Sequence, residues 1–84
     1  MASLTSMKNI GKEIERKLKS INIMTAEDLI KAGSMDAFAK LRLRYPNVCL
    51  VHLYCLEGAI TGIDYNRLPE DVKQRLKAYS DSLK

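Results

Sequence analysis

The chain has 84 residues, 46% of them hydrophobic, and 14 Lys and Arg against 10 Asp and Glu give a formal net charge of +4. This length predicts one small domain, and this hydrophobic content excludes an intrinsically disordered chain. We expect a single domain over residues 1–84, with residues 1–7 as a loosely held arm. No apolar signal segment follows the polar start, and two reduced cysteines suit the cytosol, so we expect a cytoplasmic protein.

Three short helices are predicted in the first half of the chain. The first covers about residues 11–20, and its apolar stripe is formed by Ile10, Ile14, Leu18 and Ile21. The second starts after the capping residue Thr25, packs on the first as a hairpin, and ends at Gly33 in a left-handed conformation. The third covers about residues 35–44 with Ser34 as its cap. Further core positions in these helices are Leu29, Ile30, Ala37, Phe38 and Leu41.

Residues 48–62 are the most apolar stretch, and we predict that they form a central helix capped by Asn47. A membrane span needs about 20 apolar residues, so this stretch is too short to cross a bilayer. Its core positions are Leu50, Leu53, Leu56 and Ile60. A tight connection leads to a last helix with Pro69 at its first position. The apolar stripe of that helix is Val72, Leu76, Tyr79 and Leu83. The fold class is therefore all-α, a compact domain of five helices around the central one.

Two segments carry a family resemblance. The first contains Asn9-Ile10-Gly11, Leu18 and Ile23, followed by Thr25-Ala-Glu-Asp28-Leu29, in the order of a helix-hairpin-helix motif. The second contains Leu53-Tyr54, Leu56, Gly58-Ala59-Ile60 and Gly62, with Leu68 and Leu76 behind it. Over about residues 4–76 the chain resembles the C-terminal domain of the TfoX (Sxy) competence regulators. The resemblance implies a helix-hairpin-helix or SAM-like arrangement and a bacterial regulatory role.

Basic side chains recur along the first helix. Glycine at a helix start followed by lysine is a pattern that can hold a phosphate, and a basic stripe can follow a nucleic-acid backbone. The candidate nucleic-acid-binding residues are Lys8, Gly11, Lys12, Arg16 and Lys19. On this interpretation the partner is duplex DNA, because aromatic residues for stacking single-stranded bases are not interleaved with these cations.

Two residues favour a protein partner instead. Asn9 stands where a phosphate-binding hairpin usually has glycine. Glu13 falls where the similar C-terminal domain of the RNA polymerase alpha subunit has a DNA-contacting arginine. We therefore expect a protein–protein interaction module, with direct DNA binding as the alternative. The candidate interface residues are Met7, Leu68, Tyr79 and Leu83, and burial of such an apolar patch in a homodimer is a further candidate.

Catalysis is not expected from this sequence. His52 is the only histidine, and no metal-ligand spacing surrounds it. Glu57 is the only charged residue of the central helix, so we expect it at the helix edge or paired with Lys40, Arg42 or Arg44. Because a catalytic carboxylate needs a second group in a cleft, we expect no enzyme, no metal and no cofactor.

Overall fold

A computed structural model describes residues 2–83 of the chain. In that range the helices occur in the order 3₁₀ turn Leu4–Ser6, α1 Lys12–Ser20, α2 Ala26–Ala32, α3 Ser34–Arg44, α4 Leu50–Thr61, 3₁₀ turn Tyr65–Arg67 and α5 Glu70–Ser82. The described part measures 31 × 26 × 20 Å and contains no β-strand. The prediction of an all-α domain with five helices is confirmed.

Helix α4 is the centre of the packing. It contacts α3, α5 and the second 3₁₀ turn, so its apolar surface is covered from several directions. Leu53 and Leu56 are completely buried, and Leu50 and Ile60 pack against the core while partly exposed. Full burial of one leucine side chain stabilises a fold by about 1.5–3 kcal/mol. The predicted central helix is therefore confirmed.

The connection between α1 and α2 follows from local chemistry. Asn22 adopts φ = 74°, a left-handed conformation that asparagine tolerates better than most residues. This reversal lets the amide of Ile23 donate to the carbonyl of Leu18 at 3.0 Å. Thr25 then caps α2 as predicted: its hydroxyl accepts from the Asp28 amide, and the Asp28 carboxylate accepts from the Thr25 amide, each at 3.2 Å.

The predicted placement of α2 and the start of α3 were wrong in three respects. The main contacts of α2 are with α3 rather than with α1, which turns Ile30 outward with 54% of its surface exposed. Gly33 has φ = 85° and ψ = 157°, an almost glycine-only extended region rather than a left-handed turn. Ser34 is the first residue of α3 and does not cap it, because its buried hydroxyl donates to Glu57 instead.

The start of α4 also differs from the prediction. Val48 is buried, and its amide donates to the carbonyl of Tyr45 at 3.0 Å, so a turn occupies the positions predicted to begin the helix. The cap is therefore Cys49 rather than Asn47. The Nδ1 atom of His52 accepts from the Cys49 amide at 3.1 Å, which gives a reciprocal capping arrangement.

The amino-terminal segment is docked rather than loosely held. Leu4 is completely buried in the core. The Ala2 carbonyl accepts from the Ala26 amide at 3.0 Å, and the Ala2 amide donates to the Glu27 carboxylate at 3.2 Å. The prediction of a loose arm over residues 1–7 was wrong for residues 2–7, because one leucine in the core fixes the segment. Met1 lies outside the described residues.

Candidate functional site

Most cations of the predicted α1 stripe (Lys8, Lys12, Arg16 and Lys19) have an acidic neighbour. The ion pairs are Lys8 with Asp64 at 3.7 Å, Arg16 with Glu13 at 2.5 Å, and Lys19 with Glu15 at 3.8 Å. The hydrogen bond and charge of Arg16 lower the pKa of Glu13. Lys12 pairs with no carboxylate in the described part of the chain. Such exposed pairs add little stability, but they reduce the positive charge offered to an anion.

The polar side chain of the turn that resembles a phosphate-binding hairpin makes hydrogen bonds within the protein. Asn9 adopts φ = 70°, and its Nδ2 atom donates to the carbonyl of Ile63 at 3.0 Å. Its Oδ1 atom accepts from the amide of Tyr65 at 3.2 Å. The side chain therefore ties the turn to the segment after α4. We call this contact region, formed by Asn9, Gly58, Ile63 and Tyr65, the Asn9 junction.

Glycine is sterically required at Gly58, within this junction, and is not required at Gly11, beside it. A Cβ atom on Gly58 would lie 2.3 Å from both Asn9 Nδ2 and the Ile63 carbonyl oxygen. Gly11, in contrast, has φ = −94° and open space where its Cβ would be. The candidate phosphate-binding glycine therefore has an ordinary conformation, and the sterically required one is in α4.

A second group of cations surrounds Tyr45, just after α3. Lys17 Nζ lies 5.4 Å from the centroid of the Tyr45 ring, and Arg44 Cζ lies 5.9 Å from it. The hydroxyl groups of Ser20 and Tyr45 are 2.8 Å apart, and Tyr45 is the donor because the Ser20 hydroxyl donates to the Lys17 carbonyl at 2.6 Å. We call this surface the Tyr45 face and define it as Arg16, Lys17, Ser20, Arg44 and Tyr45.

The electrostatic neighbours of Tyr45 are cations. The hydrogen bond with Ser20 and the nearby Arg44 and Arg16 side chains lower the pKa of Tyr45. Of the residues in this surface, only Arg16 was among the predicted nucleic-acid-binding candidates. The only signal of this surface in the sequence was that Lys17 and Ser20 lie three residues apart on one flank of α1, and that spacing does not reveal that the flank faces the end of α3.

The predicted interface residues do not form one exposed patch. Leu68 is only 5% exposed and belongs to the core, so its inclusion was wrong. Met7 and Tyr79 are partly buried against the same core, which leaves Leu83 as the exposed member at 37%. Only Leu68 and Pro69 lie between the second 3₁₀ turn and α5, and in this short connection Leu68 faces the core.

Leu83 takes part in a different apolar surface. It lines a groove of about 280 Å³ with Leu43, whose surface is 88% exposed. We call this surface the Leu43 groove; it is formed by Ala39, Arg42, Leu43 and Leu83. Two neighbouring exposed leucines are typical of a surface that contacts another molecule.

Glu57 is bonded to a serine rather than to a predicted cation. Ser34 Oγ donates to Glu57 Oε1 at 2.6 Å, because the start of α3 lies over Glu57. Lys40, Arg42 and Arg44 belong to the other half of α3 and make no ion pair with it. An open cleft of about 530 Å³ adjoins the Ser34–Glu57 pair and is also lined by Met35, Asp36, Ile60 and Arg75.

His52 has a structural role as a capping residue of α4. Its Nδ1 atom accepts the Cys49 amide, and burial, followed by the charge of Lys17, lowers the pKa of the imidazole. Burial raises the pKa of the Cys55 thiol. Residues 2–83 contain no group of three His, Cys, Asp or Glu side chains arranged to hold a metal ion. None of the helices in this range is long and apolar enough to span a membrane.

These features define a small all-helical domain built around one apolar helix, with a charged and an apolar surface near the carboxyl end of α3. Residues 1–79 match the family model of the TfoX C-terminal domain, and the chain belongs to this family. No curated protein matches the chain at a significant level.

Two solved structures from Listeria monocytogenes are very similar. The triclinic crystal form of an uncharacterized protein is 39% identical with a TM-score of 0.95, over 98% of this chain and 93% of that one. The tetragonal form of a protein of unknown function is 38% identical with a TM-score of 0.94, over 98% of this chain and 100% of that one.

Proposed function

We propose that the protein is a non-enzymatic module of a bacterial regulatory system, located in the cytoplasm, that acts by binding another protein. The observation that carries the proposal is the Leu43 groove. Leu43 is 88% exposed at the end of α3 and adjoins Leu83, which is 37% exposed at the end of α5. Burial of one such leucine by a partner is worth about 1.5–3 kcal/mol.

The composition of the groove indicates what kind of partner segment fits it. Ala39 and the two leucines offer an apolar floor, and Arg42, which is partly buried, lies at the rim. A partner segment with an apolar side chain beside a carboxylate would satisfy both parts. Arginine at the edge of an apolar contact is common in protein interfaces.

The polar side chains inside the domain support a binding role over an enzymatic one. Glu57 accepts a hydrogen bond from Ser34, and His52 accepts one from the Cys49 amide. A nucleophile, a base and an orienting group must meet around a reacting atom for most hydrolytic chemistry. Glu57 and His52 instead each hold the start of a helix.

The α1 stripe supports direct DNA binding only weakly. Three of its four cations are paired with carboxylates, and the side chain of Asn9 is bonded within the fold. A phosphate at Gly11 would meet Lys12 as the single cation of the stripe without an acidic neighbour. Protein binding at the Leu43 groove is therefore the better supported function.

Site-directed photocrosslinking in bacterial cells tests the proposal. Leu43 is replaced by benzoylphenylalanine, and the control places the same probe at Asn66, which is also exposed. We expect one crosslinked protein at position 43 and none at position 66, with loss of the product when Leu83→Asp is added. A product at both positions, or one insensitive to Leu83→Asp, would overturn the proposal.

A second copy of this chain is one candidate partner. Sedimentation equilibrium from micromolar to high-micromolar concentrations separates this case from a different protein. If the partner is a second copy, the wild type dimerises and Leu43→Asp stays monomeric. A constant monomer mass excludes the homodimer and leaves the crosslinking experiment to decide on another partner.

A further inference from the structure

The Tyr45 face collects cations from two different helices. Lys17 and Arg16 come from α1, and Arg44 comes from the last turn of α3. Lys17 Nζ and Arg44 Cζ lie 5.4 and 5.9 Å from the centroid of one tyrosine ring. The Ser20 hydroxyl donates to the Lys17 carbonyl at 2.6 Å and accepts from the Tyr45 hydroxyl at 2.8 Å, which ties the ring to the end of α1.

The charge of this face is not balanced. Glu13 is the nearby carboxylate, and it is engaged by Arg16 at 2.5 Å. Lys17 and Arg44 form no ion pair within residues 2–83. Two cations held against one ring repel each other, so an anion between them lowers the electrostatic energy of the face. The α1 stripe lacks this property because carboxylates already neutralise most of it.

We propose that the Tyr45 face binds the phosphate backbone of duplex nucleic acid. Lys and Arg side chains are the usual cationic donors to phosphate oxygens, and Lys17 and Arg44 supply both types at this face. The net charge of +4 would steer the domain toward a polyanion. This binding site is independent of the Leu43 groove and does not require the proposed protein partner.

The geometry favours duplex backbone over stacked single-stranded bases. The Tyr45 ring already carries two cations, so it is not a free platform on which a base can stack. Contacts to phosphate carry no sequence information by themselves. Binding at this face is therefore independent of sequence and strongly dependent on salt.

Fluorescence anisotropy with a labelled 20-base-pair duplex tests the proposal. Two to three phosphate contacts predict that wild-type affinity falls about 10- to 40-fold between 50 and 200 mM salt. The variant Lys17→Gln/Arg44→Gln removes two cations from the face. We expect it to bind at least tenfold more weakly at 50 mM salt and to show a salt slope reduced by about 2.

Two matched controls remove the same number of charges elsewhere. Lys31→Gln/Lys77→Gln changes exposed lysines on α2 and α5, and Lys12→Gln/Lys19→Gln changes the α1 stripe. Each control should weaken binding less than about threefold, since it alters only long-range steering. An equal or larger loss in either control overturns the assignment to the Tyr45 face, as does absence of wild-type binding at 50 mM salt.

Two further measurements keep the proposal falsifiable if a variant folds poorly. In a ¹⁵N NMR titration of wild-type protein with the duplex, the amides of Ser20 and Tyr45 should shift more than that of Gly11. In parallel titrations, a poly-glutamate peptide and anionic phospholipid vesicles should bind at least tenfold more weakly than the duplex. Larger shifts at Gly11, or tighter binding to the peptide or vesicles, would overturn the nucleic-acid assignment.

Discussion

The Asn9 junction and the Tyr45 face both place polar and charged groups beside a turn, yet they use these groups in opposite ways. At the junction the Asn9 carboxamide bonds Ile63 and Tyr65, and the adjacent Lys8 pairs with Asp64. At the Tyr45 face Arg16 pairs with Glu13, but Lys17 and Arg44 lie against one ring without an ion pair in the described residues. At the Asn9 junction, which carries the recognisable motif, the polar groups are therefore bonded within the protein. At the Tyr45 face, which carries no such motif, Lys17 and Arg44 are available to an anion.

The largest expected effect is at Gly58, where a substitution breaks the junction directly. In Gly58→Ala the new Cβ would meet Asn9 Nδ2 and the Ile63 carbonyl, each at 2.3 Å. Backbone on one side and a bonded side chain on the other cannot both move, so unfolding free energy should fall by about 3 kcal/mol. Urea denaturation followed by circular dichroism measures it.

Gly11→Ala is the matched control for that substitution. Nothing lies within 4 Å of the Cβ position of Gly11, and its φ is negative. The free energy of unfolding should fall by less than about 1 kcal/mol in Gly11→Ala, as for an ordinary helix-cap position. Equal losses at the two glycines would show that the junction is not tightly packed.

A smaller effect is expected from removing the Asn9 side chain. Asn9→Gly keeps the positive φ accessible and deletes the hydrogen bonds to Ile63 and Tyr65 and a longer one to the Cys55 carbonyl, so about 1–2 kcal/mol of unfolding free energy should be lost. Asn22→Gly is the control, since Asn22 has φ = 74° and no side-chain hydrogen bond in the described part of the chain. It should change stability by less than about 0.5 kcal/mol.

The Tyr45 face should matter little for stability. Lys17 is only partly buried and has no ion pair in the described residues, so Lys17→Ala should lower the melting temperature by only about 2 °C in a calorimetric scan. Binding and stability are thus expected to separate at this face, whereas at the Asn9 junction every change acts on stability. A fall comparable to that of Gly58→Ala would mean that Tyr45 and its cations are primarily structural.

The smallest effect concerns pH and the capping residue beside the Tyr45 turn. The pKa of His52 lies below its ordinary value of 6.5 in the folded protein, mainly because of burial. As pH falls below 6.5, the unfolded chain takes up the proton before the folded protein does. The stability that neutral His52 contributes is therefore complete above pH 6.5 and is lost as the pH falls toward the folded pKa. Melting temperatures between pH 7.5 and 5.5 should therefore decrease slightly on acidification.

His52→Gln provides the comparison for that titration. Glutamine suits the third position of a capped helix and has no proton to gain in this range. Its melting temperature should stay level from pH 7.5 to 5.5. A parallel decrease in both proteins would assign the pH dependence to another group.

Helix positions were largely predictable from local patterns, and helix partners were not. The Thr25 cap, the buried Leu53 and Leu56, and the turn after α4 were each predicted from neighbouring residues. Ile30 was assigned to the core because it follows Leu29 on an apolar helix, but α2 packs on α3 and leaves it exposed. A two-turn helix has no sequence signal that states which neighbour it will contact.

Candidate sites were less predictable still. The prediction of one helical stripe holds for Lys12, Arg16 and Lys19, and the acidic partners of the last two lie three or four residues away in the sequence. It was wrong for Lys8, which lies before α1 and pairs with the distant Asp64. The partners of Asn9, at Ile63 and Tyr65, lie more than fifty residues along the chain. The same holds for Leu43, whose exposure beside Leu83 depends on where α5 ends relative to α3.

The sequence by itself determined the class of the fold, its central helix and the family, because apolar periodicity and capping act over a few residues. Only the tertiary structure decided that Asn9 faces inward, that Ser34 holds Glu57, and that two helices bring Lys17 and Arg44 to one ring. Those contacts join residues distant in the chain, and their geometry depends on how whole helices pack.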